Sequence, residues 1–500
     1  MAIDAFTDRL DGLSGRGSFA DLTLESGFSG GQMPGHAVVR IVGVGAAAPG
    51  LRLAAADIGA AWNRKGGKGR AALCAPDEDT LTLAWDAGTA AVEAAGADPT
   101  AIDGLWWGCG RPPFADGPSH AVLANALGLA HHATGALLSG SPHSGIEALL
   151  AAADAVSAGT VRTALVVVSD AIRPGPGTGY EQRAGAGAAA LVLGLEGGTA
   201  TLGVRATRSR PLLDRYRGDG ETDTRDLYDG RLFREEIFVP IVGEVAAALA
   251  PLAPSVWSLP DPDGRLGAVI AKQVGAPLVA STATYAEVGD SGSAAALLGI
   301  VGALDAAGVA AAVAYGGGRA TGIIINVEAP VAGAARVAAM ITDGTPASYT
   351  RALRNRGQLV AGGETIPMGV PPESALFARG AEEMLQLLGA RCVDCGTINT
   401  PPSLHPHCTA CGGPKLEAVH LARTGTVHTY VVNYTMPAPF EAPLPIAVID
   451  LDDGARIMLQ VDDDGTDLAI GRRVRLVLRR YAYERGVPVY GFKAKPVQEA

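Results

Sequence analysis

Four cysteines constrain what this 500-residue chain can fold into more than any other feature. Cys392, Cys395, Cys408 and Cys411 form two CxxC pairs separated by 12 residues. Tetrahedral thiolate coordination needs two such knuckles held close together, so the spacing reads as a closed structural zinc site. All four positions are filled by protein, which leaves no open position for catalysis. The chain therefore holds at least two modules, and the smaller is a rubredoxin-like zinc ribbon over residues 386–417.

Composition sets the outer limits. A chain of this length has room for roughly three or four folding units. With 48% hydrophobic and 18% charged residues it reads as globular. No apolar run reaches the roughly 18 residues of a membrane span, so no membrane partner is expected. Met1 leads into Asp4, Asp8 and Asp11 without a basic or apolar leader, and six cysteines, four of them metal-spaced, suit a reducing cytoplasm. The net charge of −11 argues against nucleic acid. From Ala418 onward ten basic residues stand against ten acidic ones, with no basic stripe. The one cluster, Arg472, Arg473, Arg475, Arg479 and Arg480, reads equally as a solvated strand face or a phosphate site.

Residues 1–36 are rich in Gly, Ser and Asp and read as an extension. From Val38 a rhythm of apolar β-branched runs and Ala-rich helices begins. Strands are expected at Val38–Val44, Ile102–Trp107, Thr163–Ser169 and Ala188–Leu195, and helices at Leu81–Ala95, Ser119–Leu127 and Ser144–Val156. The rhythm recurs with helices at Phe238–Leu249, Ala268–Val274 and Ser291–Ala307 and strands at Val309–Ala314 and Gly322–Val327. Two similar α/β halves follow, residues 37–198 and 199–328. Residues 329–385 read as a linker ending in a helix, Ser374–Leu388. Beyond the ribbon, residues 418–500 carry five short strand signals, which suit an OB-fold β-barrel.

Several segments of the first 330 residues, in their order, carry a resemblance: PDEDTLTLA (Pro76–Ala84), RPPFAD (Arg111–Asp116), GSPHSGIEAL (Gly140–Leu149), ALVVVSD (Ala164–Asp170), YEQRAGAGAAALVLG (Tyr180–Gly194), VGDSGSAA (Val288–Ala295) and YGGGRATGIII (Tyr315–Ile325). This region resembles the thiolase superfamily, nearest its hydroxymethylglutaryl-CoA synthase and ketoacyl synthase III branches. The tail resembles the zinc-ribbon OB-fold partner domain that accompanies thiolase-like proteins. The resemblance implies a five-layer αβαβα body that forms a homodimer, a CoA thioester as substrate, and a hydratase or thiolase as partner protein.

The catalytic positions of that family are not matched. Its nucleophilic cysteine lies at the start of the buried helix, where this chain reads Gly140-Ser141-Pro142-His143-Ser144-Gly145. Pro142 or His143 takes the cysteine's place, depending on the register. Gly110 falls at the synthase glutamate position, and no histidine occurs between His143 and His405. A proline has no N–H, so that half of a family-like oxyanion hole is lost.

What remains is a reduced set. His143 is a candidate acid or base, and equally a histidine bonded to backbone at a helix start. Asp290 can act as a base or cap the helix that follows. Tyr285 and Tyr315 can move a proton, although buried tyrosines are more often core. Cys109 has no placed basic partner and reads as a small core residue. Gly316, Gly317 and Gly318 follow a strand, as in the family's glycine-rich loop, and can bring an N–H near a thioester oxygen. The preferred reading is aldol or retro-aldol chemistry on a β-hydroxyacyl-CoA without a cysteine acyl-enzyme. The alternatives are a CoA-ester-binding scaffold for a partner enzyme and an atypical Claisen condensing enzyme.

Overall fold

The apolar runs of both halves become strands of a single hydrogen-bonded sheet of nine strands. The structure, a computed structural model, describes residues 37–226, 230–360, 380–435, 440, 442–462, 468–484 and 487–497. The extension expected over residues 1–36 and the first six residues of the helix expected at Ser374–Leu388 lie outside these; in the described part the helix spans Ala381–Leu385, and Leu388 already begins a strand. The first half supplies β1 (Arg40–Ala47), β2 (Leu51–Ala54), β3 (Arg70–Leu73), β4 (Gly104–Gly108), β5 (Thr134–Leu138), β6 (Ala164–Ala171) and β7 (Ala186–Gly194). The second supplies β8 (Ala200–Ser209), β9 (Val256–Ser258), β10 (Gly308–Gly316) and β11 (Arg319–Val327), followed by β12 (Thr345–Ala347).

The sheet runs β5-β4-β6-β7-β1-β8-β11-β10-β9. Read outward from the β1–β8 junction, the halves repeat each other. β1–β7 and β8–β11 are antiparallel, as are β7–β6 and β11–β10, while β6–β4 and β10–β9 are parallel. The second half has a bridge, Trp257 to Val279, where the first has the full parallel pair β4–β5. β2, β3 and β12 form a separate small sheet.

Helices fill the layers between and outside the two halves of the sheet. Ser144–Ser157 and Ala295–Val301 share one apolar core with strand residues of both halves, among them Val166, Ala189, Ala312 and Ile323. Thr80–Ala95 and Ser119–Ala126 cover the outer face of the first half, and Val239–Leu249 and Leu266–Val274 that of the second. The result is the five-layer αβαβα thiolase-like fold. β4 and β7 are buried along their whole length, as a sheet covered on both faces requires. The helix Thr80–Ala95 opens with a reciprocal Asp79–Thr82 capping box and stops at Gly96 in the left-handed region, φ 60°. It lies so close to β1 that a Cβ on Gly45 would stand 2.3 Å from the Ala87 carbonyl.

The long helix expected over Ser291–Ala307 is shorter, a 3₁₀ turn at Gly292–Ala294, the α-helix Ala295–Val301 and a second 3₁₀ turn at Gly302–Asp305. Its alanine and glycine content set no stop signal, and the packed contacts of the central layer decide where it ends.

In the tail, β13 (Leu388–Cys392), β14 (Ile398–Asn399) and β15 (Leu416–His420) make the ribbon sheet. β16 (Thr424–Asn433), β17 (Leu444–Leu451), β18 (Arg456–Gln460), β19 (Arg473–Glu484) and β20 (Val487–Pro496) make the barrel, ordered β18-β17-β16-β19-β20. A bridge between Val461 and Ala494 draws its two edges together. The barrel seats on the start of helix Thr80–Ala95. Trp85 meets Phe492 edge-on at 5.6 Å, and the Arg423 guanidinium lies over both rings. Arg479 reaches Asp86 (3.0 Å) and Glu78 (3.5 Å), Lys493 reaches Asp77 (3.0 Å), and Tyr490 donates to Asp79 (2.7 Å). The two most buried arginines of the sequence cluster thus serve neither reading drawn from sequence: they clamp the barrel to the PDED segment.

Candidate active site

The two halves converge on a small cavity of about 40 Å³. Its wall is built from the start of the buried helix (Pro142), the end of β10 (Val313 to Gly316), the turn before Ala295, and the segment carrying Asp214 and Arg215. Pro142, Tyr285, Asp290, Tyr315, Gly316 and Gly317 all line it. Gly317 and Gly318 join β10 to β11 with φ of 58° and 71°, the two left-handed positions of a tight hairpin turn. A Cβ on Gly316 would stand 2.7 Å from the His143 nitrogen and 2.8 Å from Pro142 Cδ, so this loop packs directly on the helix start. Gly318 turns away from the cavity, and a Cβ there would meet the Arg210 carbonyl at 2.1 Å.

Asp290 is buried and multiply held. Its Oδ2 accepts from the Tyr180 hydroxyl (2.9 Å) and from Arg215 Nη1 (3.2 Å), and its Oδ1 accepts from the Gly292 amide (3.0 Å), which caps the 3₁₀ turn. Arg215 also donates to Asp226 (2.9 Å) and to the Pro262 carbonyl (3.2 Å) and stacks 3.5 Å over the Tyr180 ring. Tyr315 donates to Asp214 Oδ2 at 2.6 Å and packs edge-on against Phe238 and Phe233. Burial raises the Asp214 carboxyl and, with the nearby acids, holds Tyr285 and Tyr315 as phenols.

His143 is buried behind the wall and is not among the lining residues. Its Nε2 lies 2.8 Å from the Thr321 hydroxyl and its Nδ1 3.3 Å from Glu147. Burial, aided by Arg319, pushes it down to about 4. The close glutamate does not reverse this, because Arg319 pairs with that same carboxylate at 2.6 Å. Cys109 is fully buried, off the cavity, and burial pushes its thiol up.

Beneath the wall lies a polar chain. Asp170 Oδ2 accepts from the Ser293 amide (3.1 Å) and hydroxyl (3.0 Å), and Ser293 Oγ lies 3.2 Å from Ser144 Oγ. It ties together the starts of the two central helices. A Cβ on Gly110 would stand 2.5 Å from Asp170 Oδ2, so this carboxylate occupies the space beside that position.

Asp214, Arg215, Phe233, Pro262 and Tyr285 line both this cavity and an outer groove of about 860 Å³. Lys65, Lys68, Arg183 and Arg265 stand along that groove, as do Asp226, Asp261 and Asp263. The arginines before Arg215 are engaged outside it: Arg205 pairs with Asp154 (2.7 Å), and Arg208 and Arg210 share Glu244 (3.2 and 3.1 Å).

In the ribbon the four cysteine sulfurs lie within 4.8 Å of one another, with Cys392–Cys411 at 3.6 Å and Cys395–Cys408 at 3.5 Å. Tetrahedral Zn–S bonds of about 2.3 Å put sulfurs about 3.8 Å apart, so the donor set fits zinc.

Known proteins agree with both parts of this architecture. Residues 385–417 match the ChsH2 rubredoxin-like zinc ribbon domain, and residues 418–479 match the ChsH2 C-terminal OB-fold domain. A DUF35 domain-containing scaffold protein of Methanocaldococcus jannaschii is 39% identical over 126 residues, 24% of this chain and 88% of the relative. The chain belongs to the DUF35 domain-containing proteins. Hydroxymethylglutaryl-CoA synthases are similar to the chain as well. That of Pyrococcus horikoshii is 34% identical over 157 residues, 31% of this chain and 45% of the relative, so the chain spans less than half of that relative's length. That of Methanopyrus kandleri is 28% identical over 284 residues, 54% of this chain and 81% of the relative. Among solved structures, MvaS in complex with 3-hydroxy-3-methylglutaryl coenzyme A superposes with a TM-score of 0.56 at 19% identity, covering 67% of this chain and 94% of that one. The priming β-ketosynthase of the R1128 polyketide pathway gives 0.52 at 22% identity, covering 60% and 99%. These likenesses carry the thiolase fold of the body. The body is thiolase-like and the tail is a ChsH2-type ribbon and barrel.

Sequence reasoning missed Asp214, Arg215 and Phe233 as cavity groups. Arg215 stood inside the arginine-rich stretch Arg205–Arg217, which the sequence leaves open between a grip on CoA phosphates and a loop coating, and Asp214 has no motif around it. The only hint was Tyr315, whose hydroxyl needs a partner when buried.

Proposed function

We propose that the chain carries out aldol or retro-aldol chemistry on a β-hydroxyacyl-CoA without a covalent acyl-enzyme. One observation carries this reading: a proline faces the cavity at the start of the buried helix, while two carboxylates and two phenols converge on the same space. A retro-aldol step needs a base for the β-hydroxyl proton. The Cα–Cβ bond then breaks, a carbonyl compound leaves, and the electron pair passes to the thioester enolate, which is reprotonated at Cα. No acyl group is transferred, so no nucleophile is required.

In this reading Asp214, whose carboxyl burial raises, is the base, and Asp290 is held in place by Arg215. Tyr285 serves as a proton donor, and the backbone at Gly316 and Gly317 holds the thioester oxygen, while Gly318, turned away, takes no part. His143 is a positioning residue that ties the helix start to β11 through Thr321. Lys65, Lys68, Arg183 and Arg265 of the outer groove take the CoA phosphates. Zinc holds the ribbon together and takes no part in the chemistry. The homodimer is formed through the edge of β5, where Thr134, Gly135 and Ala136 are exposed beside an otherwise buried sheet.

A second reading, a CoA-ester-binding scaffold for a partner hydratase or thiolase, draws support from the scaffold name of the relative from M. jannaschii. Exposed Tyr430, Val431, Tyr434 and Met458 on the barrel offer such a partner a surface. An atypical Claisen condensation is third, supported by the likeness to hydroxymethylglutaryl-CoA synthases. Mass spectrometry of the protein and of the small molecules after incubation with β-hydroxyacyl-, acetyl- and malonyl-CoA separates the three. Turnover of a β-hydroxyacyl-CoA without mass gain on the protein is expected. A stable acyl adduct refutes the aldol reading, and tight CoA binding with neither turnover nor adduct favours the scaffold.

A further inference from the structure

The charges in the inner cavity do not balance, and the imbalance selects among acyl groups. Among the described residues three charged ones line it: Asp214, Asp290 and Arg215. The single cation is already committed, for Arg215 Nη1 donates to Asp290 (3.2 Å), Nε to Asp226 (2.9 Å) and Nη2 to the Pro262 carbonyl (3.2 Å). The rest of the wall is apolar or aromatic, with Phe233, Pro260, Ala295, Ala296 and Val313 prominent. His143 stands behind the wall, and burial pushes it down to about 4.

We propose that this cavity takes an uncharged, apolar acyl group and rejects acyl groups that end in a carboxylate. The proposal rests on the CoA-thioester reading above and adds to it the class of acyl chain. A carboxylate entering here loses its hydration, faces two fixed carboxylates, and finds the one guanidinium of the described wall already bonded to Asp290, Asp226 and the Pro262 carbonyl. Discrimination of this kind comes from a repulsive element as much as from fit. The apolar wall gains from an alkyl group at the same place.

Isothermal titration of the full chain with two isosteric esters tests this directly. 4-Methylpentanoyl-CoA and succinyl-CoA have acyl groups of the same heavy-atom count, one ending in isopropyl and the other in carboxylate. The first is expected to bind at least about tenfold more tightly. Asp214→Asn, which removes one of the opposing charges, is expected to narrow the gap by about threefold or more. Equal affinities for the two esters, or a preference for succinyl-CoA, would overturn the proposal while leaving the CoA reading intact. Absence of binding by both esters and by CoA itself would overturn both. The comparison in the unaltered protein stands even where the variant does not fold.

Discussion

Replacing Arg479 by methionine is the sharpest test of how the tail is held. The side chain is 2% exposed and contributes to two ion pairs across the barrel–body contact, to Asp86 at 3.0 Å and to Glu78 at 3.5 Å. Methionine keeps most of the stem's packing but leaves two carboxylates facing each other without their cation. Removing one partner of a buried pair in this way costs about 3–5 kcal/mol. That corresponds to opening of the contact roughly two to four orders of magnitude more often. Hydrogen exchange of peptides from Thr80–Ala95 and from β19, read by mass spectrometry, reports that opening locally. Acidity should modulate the effect. Burial already raises the Glu78 carboxyl, and Arg479 is the main influence pulling it back down. Without Arg479 it rises further, and a carboxyl raised on folding favours the folded state at low pH and loses that contribution as pH climbs through its folded value. The deficit of the variant is therefore larger at pH 8 than at pH 5. A less than tenfold change in exchange at pH 8, or equal changes at both pH values, would refute the clamp.

Other perturbations probe separate parts of the molecule. His143 is pushed down to about 4 from 6.5, so its contribution is present above pH 6.5 and is lost as pH falls; about 1.3 kcal/mol should go between pH 7.5 and 5.5, and His143→Gln should flatten that slope in denaturant titrations. Gly316→Ala forces a methyl against Pro142 and His143 and should cost about 1–3 kcal/mol, whereas Gly50→Ala, with nothing within 4 Å of the new methyl, should be near neutral in the same titrations. Cys411→Ser, or strong chelation, should take zinc content measured by elemental analysis from one per chain to none, with loss of exchange protection in β13–β15. Asp214→Asn and Tyr285→Phe should each lower turnover of a β-hydroxyacyl-CoA by about 10²–10⁴-fold without loss of the folded state, and retention of full turnover by both would remove the assigned proton groups.

Much of the architecture was legible because its signals are local. The zinc ligands follow from spacing alone, since four thiolates in two knuckles have one common use. The runs at Thr163–Ser169 and Ala188–Leu195 are buried on both faces and so are apolar throughout, which gave the central strands to within about three residues. The strands β5, β8 and β9 were not anticipated. β5 is half exposed and holds a glycine, β8 mixes arginine with threonine, and β9 is three residues long. Each owes its conformation to the neighbour it pairs with rather than to its own composition.

By itself the sequence determined the metal site, the repetition of two α/β halves, the barrel, and the loss of the family's cysteine, glutamate and histidine. Those depend on residue identity and short-range periodicity. Only the tertiary structure decided what faces the cavity. It turned His143 behind the wall and brought Asp214 to Tyr315, which lie far apart in the chain. It paired Arg215 with Asp290 and Asp226, and it placed Arg479, which the sequence left between a solvated strand face and a phosphate site, in the contact that seats the barrel. The physical reason is common to all four: the worth of a charge or a proton donor is set by its burial and its partners, and both are fixed by contacts between distant segments.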